Sequence, residues 1–422
     1  MDNDTNSPVI IIISHVVPFP PAAGNEIRIL NMMKWLKQQG YRIVLLLNSD
    51  PIEPDIIKAL KEVVYAVHFR DEDIPSIKLD MLKKSQYNYS NIIIEKLDKI
   101  AKKGILNETF LMKRIQRKAI SNATKQWLCP RKLIQLTNFL CEKYKASAVL
   151  AEYIFTTPCL DVVGPGILKI IDTHDMFSRK KEQVIKYGVE DPLPCTRREE
   201  RRYLLKSDII IAIQEHEAKL FKKLVPERNV IVTEIDYPIV NKIDNSQVIP
   251  NTILIVGSAN PLNIHGLNEF YQKCWPIIRN KNASARLYII GKIQDKFQPN
   301  DERINILGWV EDLNKEYQKA CVVINPIFAG TGLKIKSVEP LCQGKPLVST
   351  PNGVEGLTTS DNNHFMVAGN WHNFADAVLM LLESEEKRLN LQQRALDFAK
   401  NRFTTDCVYA SLAKTLKLNK TN

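Results

Sequence analysis

The residues with the clearest chemical potential lie in the segment 325–339, NPIFAGTGLKIKSVE, at the end of the apolar run at 321–326. This order predicts a strand, a glycine loop and a helix. Gly330 and Gly332 would let backbone N–H groups approach an anion, and Lys334 and Lys336 add positive charge near the amino end of the helix. The segment is therefore a candidate cradle for a diphosphate. The alternative is a tight turn with two solvated lysines.

Glu339 lies on an otherwise apolar face of the same predicted helix. A carboxylate in such surroundings needs hydrogen-bond or ionic partners. Two adjacent ribose hydroxyls would satisfy it in a bidentate manner. An ion pair with Lys336, three residues earlier in the helix, would satisfy it without a ligand. Both interpretations stay open at this point.

A second candidate is the pair His174 and Asp175, which follows the apolar run at 168–172. Ligands of open α/β sheets bind at the carboxyl ends of the strands, where this pair is expected. The pair is therefore a candidate for a binding or catalytic role. Alternatively, Asp175 is only the N-cap of the next helix.

Other reactive residue types give no comparable pattern. The P-loop pattern G-x-x-x-x-G-K-[ST] is absent, which argues against a P-loop nucleoside triphosphatase. H-E-x-x-H is also absent, and His216 is interpreted as solvated surface. No carboxylate triplet with metal-ligand spacing stands out, so we expect no essential metal. The eight cysteines never reach a C-x-x-C spacing, which predicts reduced core thiols.

Two series of short, apolar, β-branched runs predict the strands that position these residues. Helical patterns lie between the runs, as at 26–39, which ends at Gly40. The alternation predicts the α/β class, with two doubly wound, Rossmann-like domains that face a shared cleft. The polar segment 238–250 separates the two series and predicts domains at 1–240 and 241–402. The runs lie at 9–13, 42–47, 148–153, 168–172 and 208–213, then at 252–257, 287–291, 304–308, 321–326 and 346–350.

The positive charge of the chain is concentrated in one segment. The net charge is +11, and residues 81–145 carry 15 basic and 4 acidic side chains. This segment is helical in pattern and is predicted to be an insertion in the first domain. Anionic lipid, nucleic acid or a solvated helical face would each suit such a surface. Its sparse aromatic residues lack a recognised nucleic-acid-binding pattern.

The sequence contains no apparent export or membrane-spanning segment. The first apolar run, 9–13, follows Asp2 and Asp4 and is only five residues long. No run approaches the roughly 18 apolar residues that a spanning helix requires. The expected location is therefore the cytoplasm, with peripheral contact at the inner face of the membrane.

The block at 330–350, G-x-G-L-K-x-K-x-x-E-x-L-x-x-G-K-P-L-V-S-T, is followed by PNGVEGL at 351–357. Together they resemble the donor-binding signature of the family 4 retaining glycosyltransferases, the glycosyl transferases group 1, which have the GT-B architecture. Segments 253–270, 306–320 and 18–40 resemble the family at the expected positions and in the same order. The resemblance extends over most of the chain and is weakest in the basic insertion.

The resemblance implies that Glu339 binds the ribose of a nucleotide sugar and that the glycine loop with Lys334 or Lys336 holds its diphosphate. The family usually has a second glutamate, which contacts the donor sugar, where this chain has Thr331. It also usually has an Arg and a Lys after the first strand of the second domain. Neither is present here, so Lys334 and Lys336 would have to neutralise more of the phosphate charge. The expected donor-binding residues are Gly257, Ser258, Asn263, Gly330, Thr331, Gly332, Leu333, Lys334, Lys336 and Glu339.

In the first domain, the loop with Gly24 and Asn25 resembles the family's flexible loop that faces the donor phosphates and the acceptor. His174 and Asp175 would be the catalytic pair, with His174 against the donor sugar and Asp175 orienting its ring or touching the acceptor. Base selection would rest on backbone contacts at 308–310. The last segment, 403–422, would be a helix that crosses back onto the first domain.

The implied reaction is sugar transfer from a nucleotide-diphosphate sugar to a glycan or lipid-linked acceptor, with retention of anomeric configuration, in cell-envelope polysaccharide or glycoconjugate synthesis. Lysines and amides would stabilise the departing diphosphate, which accepts the proton of the acceptor hydroxyl, and domain closure would exclude water. No cofactor or metal is expected. An anionic membrane surface is a further expected partner, through 81–145. Two alternatives are a nucleotide-sugar epimerase or hydrolase on the same fold and, more remotely, nucleic-acid binding through 81–145.

Overall fold

The computed structural model describes residues 7–73, 121–189, 193–357 and 363–418. The chain divides into two compact units, which are described separately. The first comprises Met1–Thr173, Pro192–Ile210 and Glu227–Asn229, and the second comprises His174–Asp191, Ile211–Pro226 and Val230–Asn422. The domain boundary at residue 240 and the return of the last helix to the first domain stay predictions.

The amino-terminal half of the chain forms a seven-stranded sheet in the order β3-β2-β1-β4-β5-β6-β7. Neighbouring strands from β3 to β5 pair in parallel. β1 and β4 are buried along their whole length, as expected for strands covered on both faces. The strands are β1 Val9–Ser14, β2 Arg42–Leu47, β3 Ala66–Phe69, β4 Ala148–Glu152, β5 Leu168–Asp172, β6 Ile209–Ala212 and β7 Asn229–Val232.

Helices connect these strands, because parallel neighbours need crossover connections. They are α1 Gly24–Gln38, α2 Pro54–Lys61, α3 Arg131–Tyr144, α4 Phe177–Lys186, α5 Arg197–Leu204 and α6 Glu215–Leu224, with a 3₁₀ helix at Ile154–Val162. Residues 121–128 are also helical.

Helix α3 corrects one sequence prediction. Its Leu133, Leu136 and Leu140 are buried in one core with β1, β2 and β4. Residues 131–144 are therefore a crossover helix of the sheet rather than part of an inserted basic surface. Residues 81–120, the rest of the predicted insertion before the helical stretch at 121, lie outside the described residues.

The second sheet has six strands in the order β10-β9-β8-β11-β12-β13, and every neighbouring pair is parallel. Its core includes the fully buried rings of Phe270, Trp275 and Phe374. The strands are β8 Thr252–Val256, β9 Arg286–Ile290, β10 Ile304–Gly308, β11 Val322–Asn325, β12 Leu347–Ser349 and β13 Met366–Val367. The helices are α7 Pro261–Lys273, α8 Trp275–Lys281, α9 Leu313–Lys319, α10 Ile335–Cys342, α11 Trp371–Glu383, α12 Glu385–Arg402 and α13 Thr405–Leu418.

Each of the ten predicted apolar runs overlaps a strand, so the prediction of two parallel sheets with helical crossovers is confirmed. The eight cysteines are free, and all except Cys407 are buried. Among the helices described, none is both long enough and apolar enough to cross a bilayer.

Candidate active site

The glycine loop lies between β11 and α10 and has the backbone conformation that its glycines favour. Gly330 has φ 123° and Gly332 has φ 73°. A Cβ atom on Gly332 would lie 2.7 Å from Asp175 Oδ1 and 2.8 Å from the His174 carbonyl oxygen. Gly332 therefore permits both the left-handed turn and the close approach of the His174–Asp175 segment. The predicted strand, glycine loop and helix are present in that order.

The loop amides are already hydrogen-bonded within the protein. Gly330 N–H donates to Gln183 Oε1 at 2.5 Å, and Gly332 N–H donates to Glu217 Oε1 at 2.8 Å. Gln214 Nε2 donates to the Gly332 carbonyl oxygen at 3.0 Å. An anion could bind these two amides only by displacing the side-chain oxygens that now accept from them.

The two lysines after the loop have different surroundings. Lys334 Nζ donates to the carbonyl oxygens of Gly330, Thr331 and Gly332 at 3.0–3.1 Å, and burial lowers its pKa. In the described part of the chain, Lys336 Nζ has no hydrogen bond. It lies beside Gly257, where an added Cβ would be 3.5 Å from it. Burial lowers the pKa of Lys336 to about 7.

Lys336 and three other expected donor-binding residues line one open pocket. These three are Gly257, Ser258 and Asn263, at the end of β8 and the start of α7. Asn263 Nδ2 donates to Ser258 at its carbonyl oxygen, 3.0 Å, and at its Oγ, 3.1 Å. A Cβ on the neighbouring Gly291 would lie 1.5 Å from the Gly257 carbonyl oxygen, so the two backbones touch.

Glu339 is buried, with 8% of its surface exposed. Its two oxygens accept hydrogen bonds from Tyr317 Oη at 2.8 Å and Tyr237 Oη at 3.2 Å. Burial raises the pKa of Glu339, while these hydrogen bonds and the charge of Lys336 oppose the rise. No ion pair joins Glu339 to Lys336, both of them described residues, so that alternative is wrong. The two tyrosines supply the partners that the carboxylate needs.

His174 and Asp175 adjoin the glycine loop. His174 is buried and has φ 57°, a left-handed conformation that is uncommon for a residue with a side chain. Asp175 Oδ1 accepts from Thr331 Oγ1 at 3.0 Å, and Asp175 Oδ2 lies 3.4 Å from Lys180 Nζ. The N-cap of α4 is Met176, so the interpretation of Asp175 as that cap is wrong.

Glu217, in the first turn of α6, was not identified from the sequence. It is fully buried, and its Oε1 accepts from the amides of Gly332 at 2.8 Å and Met176 at 3.4 Å. Its Oε2 is buried and has no hydrogen-bond partner among the described residues. Burial, followed by the charge of Asp175, raises the pKa of Glu217 to about 8. The buried positions 217, 218 and 221 of α6 form an inward face, which is the signal that the sequence offered.

The remaining expected residues are placed as follows. Thr331 and Leu333 are buried in the loop. Gly24 and Asn25 open α1 in the first unit, where Glu26 Oε2 accepts from the Ala22 and Ala23 amides at 2.6 and 2.9 Å. The structure thus brings together two groups within the second unit. One is the pocket around Lys336, and the other is the loop with His174, Asp175 and Glu217.

Sequence comparisons identify relatives of part of the chain. Residues 250–384 match the family model described as Glycosyl transferases group 1. An uncharacterized 44.6 kDa protein in the cps region of Klebsiella pneumoniae is 24% identical over 174 residues. The match covers 38% of this chain and 45% of that protein, so the chain spans less than half the length of this curated relative.

Several solved structures are similar over nearly the whole chain. Sucrose-phosphate synthase from Thermosynechococcus elongatus has a TM-score of 0.66 at 13% identity, covering 98% of this chain and 99% of its own. A mutant of S. aureus TarM, in complex with fondaparinux, alpha-GlcNAc-glycerol and UDP, has 0.66 at 12%, with coverage of 98% and 99%. Anabaena HepE, in complex with UDP and glucose, has 0.64 at 13%, with coverage of 97% and 99%.

At these identities the structural likeness concerns the fold, and it confirms the predicted GT-B class with two Rossmann-like domains. The family match supports a glycosyltransferase enzyme. The family match bears out the sequence resemblance for residues 250–384, which are similar to the glycosyl transferases group 1.

Proposed function

We propose that the protein transfers a sugar from a nucleotide-diphosphate donor to a glycan or lipid-linked acceptor with retention of anomeric configuration. The observation that carries this proposal is the pocket in which Lys336, without a hydrogen-bond partner among the described residues, faces Gly257, Ser258 and Asn263. This pocket lies within the segment that matches the glycosyl transferases group 1. The UDP complexes of TarM and HepE support a nucleotide donor.

The pocket suits a diphosphate for electrostatic and steric reasons. A bound anion would favour the charged form of Lys336 and raise its pKa from the value of about 7 that burial produces. Gly257 presents no side chain, so an anion can approach the backbone closely. The amino end of α7, which Asn260 caps, begins shortly after Ser258 in sequence and adds positive potential. We assign the donor diphosphate to Lys336 rather than to Lys334.

Glu339 is proposed to bind the donor ribose. A carboxylate has about four acceptor positions, and the hydrogen bonds from Tyr317 and Tyr237 occupy two. The remaining lone pairs can accept from the two ribose hydroxyls. The tyrosines also oppose the rise in the pKa of Glu339 that burial causes, and they help to keep the acceptor ionised.

In the proposed reaction, the departing diphosphate develops negative charge, and Lys336 stabilises it. The bond between the anomeric carbon and the phosphate oxygen breaks, and the acceptor oxygen bonds to that carbon on the same face. The acceptor proton moves to the departing phosphate. His174 and Asp175 would position the donor sugar and the acceptor, and no cofactor or essential metal takes part.

The cellular role is also a proposal. The curated relative in the Klebsiella pneumoniae cps region supports polysaccharide synthesis. A cytoplasmic enzyme that contacts an anionic membrane through the basic residues of 81–130, before crossover helix α3, would fit a lipid-linked acceptor. Vesicle co-sedimentation at low salt tests this contact, and binding that is independent of anionic lipid would contradict it.

The first experiment measures thermal shifts with UDP, GDP, ADP, CMP and their sugars. At 100 times Kd, a ligand adds about 2.7 kcal/mol, which corresponds to several degrees in Tm for a domain of this size. We expect one diphosphate class to stabilise the wild type, and Glu339→Gln to weaken the shift. Glu386→Gln, at an exposed position in α12, is the matched control.

Product analysis then tests the reaction. With the identified donor and candidate acceptors, NMR of the product should show the donor's anomeric configuration. Free sugar released at the same rate without acceptor would favour the hydrolase, and an altered nucleotide sugar would favour the epimerase. A wild type that no nucleotide in the panel stabilises would contradict the proposal.

A further inference from the structure

Glu217 connects two segments of the candidate site through one carboxylate oxygen. Oε1 accepts from Gly332 N–H in the glycine loop and from Met176 N–H, directly after His174 and Asp175. Gln214, three residues earlier and also buried, donates to the Gly332 carbonyl oxygen. Both peptide groups of the turn at Gly332 are therefore held by side chains from the start of α6.

The surroundings of Glu217 oppose a negative charge on it. The side chain is fully buried, and within the described parts of the chain its Oε2 has no hydrogen-bond partner. Asp175 is the nearby negative charge that adds to the effect of burial. Lys334 is the nearby positive charge, but its ammonium is shared among three loop carbonyls and itself lies near Asp175 and Glu355.

Further charged or titratable groups lie close to these residues. Arg179 of α4 makes a bidentate ion pair with Glu355, and His216, next to Glu217 on α6, lies 3.9 Å from the same carboxylate. Arg179 and Glu355 neutralise each other to a large extent. The charges that act most strongly on Glu217 are those of Asp175 and Lys334, and Arg179 adds a weaker one.

From this geometry we infer that Glu217 is a positioning residue, which fixes the glycine loop against the His174–Asp175 segment and must be neutral when the donor binds. The inference rests on the proposed function, because the donor is a nucleoside diphosphate. An ionised carboxylate would hold the Gly332 amide more strongly and repel the donor's phosphates. A neutral carboxyl group keeps the same hydrogen bond without adding negative charge.

The expected consequence is proton-coupled donor binding. Because burial raises the pKa of Glu217 to about 8, the group is neutral at pH 7 and ionised at pH 9.5. Donor affinity should fall above pH 8, by at most about tenfold per pH unit for one linked proton. Lys336, whose pKa is about 7, adds a dependence of its own, which Glu217 variants share with the wild type.

The positioning part is tested without a ligand, by hydrogen exchange of the Gly332 and Met176 amides. Glu217→Ala should accelerate exchange in peptides that cover 174–177 and 330–335. Glu217→Gln should keep the protection, since its carbonyl oxygen accepts the same bonds. Glu215→Gln, at an exposed position on the same helix, is the matched control. Unchanged exchange in Glu217→Ala would overturn the inference.

The proton-coupled part is tested by calorimetric titration of UDP between pH 7.5 and 9.5, where its terminal phosphate, with a pKa of about 6, stays ionised. We expect wild type and Glu217→Gln to bind equally at pH 7.5 and the variant to bind about tenfold more tightly at pH 9.5. Parallel curves would overturn the inference and leave nucleotide binding intact. Absence of UDP binding to the wild type, with no binding of the other panel nucleotides, would overturn the proposed function together with this coupling.

Discussion

Lys334 and Lys336 are two residues apart, and the structure gives them different surroundings. The Lys334 ammonium donates to three carbonyl oxygens of its own loop, which fits a structural role. The Lys336 ammonium has no such partner in the described regions and faces the pocket with Gly257. An unsatisfied cation at a pocket is the better candidate for binding an anion, since a charge-assisted hydrogen bond contributes about 1.5–3 kcal/mol.

The first prediction separates these roles by matched substitutions. Lys336→Met should weaken binding of the stabilising nucleotide by about 10- to 100-fold and leave Tm unchanged or higher, because a partly buried charge is removed. Lys334→Met should lower Tm by several degrees, because three carbonyl oxygens lose their donor. Calorimetric titration and thermal denaturation of both variants provide the measurements. A nucleotide-binding defect that is confined to Lys334→Met would contradict the assignment of the diphosphate to Lys336.

At this scale the sequence predicts which residue types carry charge but not which contacts they make. Glu339 was correctly expected to need partners, yet Tyr317 and Tyr237 lie 22 and 102 positions away and are marked by no local pattern. Glu217 stands in a polar stretch, QEHEAKLF, and only the fold shows that this side chain is the buried one. Contacts between distant segments are set by tertiary packing, which local periodicity does not encode.

At the scale of elements, the glycine loop depends on packing by two helices. Val184 of α4 contacts a cluster with Leu262 and Ala329, and Gln183 of the same helix accepts from Gly330 N–H. Helix α6 holds Gly332 through Glu217. The close approach at Gly332 leaves no room for a Cβ atom, whereas Gly188 has a similar φ of 65° and nothing within 4 Å of its Cβ position.

The second prediction compares these two glycines. Gly188→Ala should cost only the backbone strain of a left-handed alanine, about 1 kcal/mol. Gly332→Ala should cost more, because its Cβ also meets Asp175 Oδ1 and the His174 carbonyl oxygen, and it should reduce sugar transfer as well as Tm. Thermal denaturation and initial rates of both variants test this. Equal Tm values with full activity in Gly332→Ala would show that the contact is dispensable.

The elements themselves were largely predictable, for an identifiable reason. Strands covered on both faces are uninterrupted apolar runs, as in β1 and β4, and such runs stand out from a single sequence. β13 has two residues and offers no run to detect. Helix α3 was assigned to the basic insertion on its charges, although Leu133, Leu136 and Leu140 already carry the spacing of a core-facing helix.

At the scale of the whole molecule, burial in the second unit disfavours the charged forms of two groups, one an acid and one a base. Glu217 prefers its neutral form, with a pKa raised from 4.5 to about 8, and Lys336 prefers its neutral form, with a pKa lowered from 10.5 to about 7. Each shift makes the free energy of unfolding depend on pH in the range between the group's pKa in the unfolded chain and its pKa in the folded protein. The two windows overlap only near neutral pH, so substitutions at the two residues should have different pH signatures.

The third prediction follows from proton counting. Between pH 4.5 and about 8 native Glu217 binds more protons than the unfolded chain, so its contribution to stability falls as pH rises and is lost above pH 8. The gain in Tm of Glu217→Gln over wild type should therefore grow from pH 5 to 8 and then stay constant.

For Lys336, the native group binds fewer protons than the unfolded chain between about pH 7 and 10.5, so the destabilisation that it causes is largest at low pH. The gain of Lys336→Met should be largest below pH 7 and disappear towards pH 10.5. Thermal scans across pH 5 to 10, with Glu386→Gln as the control, decide this, and variant curves that parallel the wild type would exclude both groups as the source.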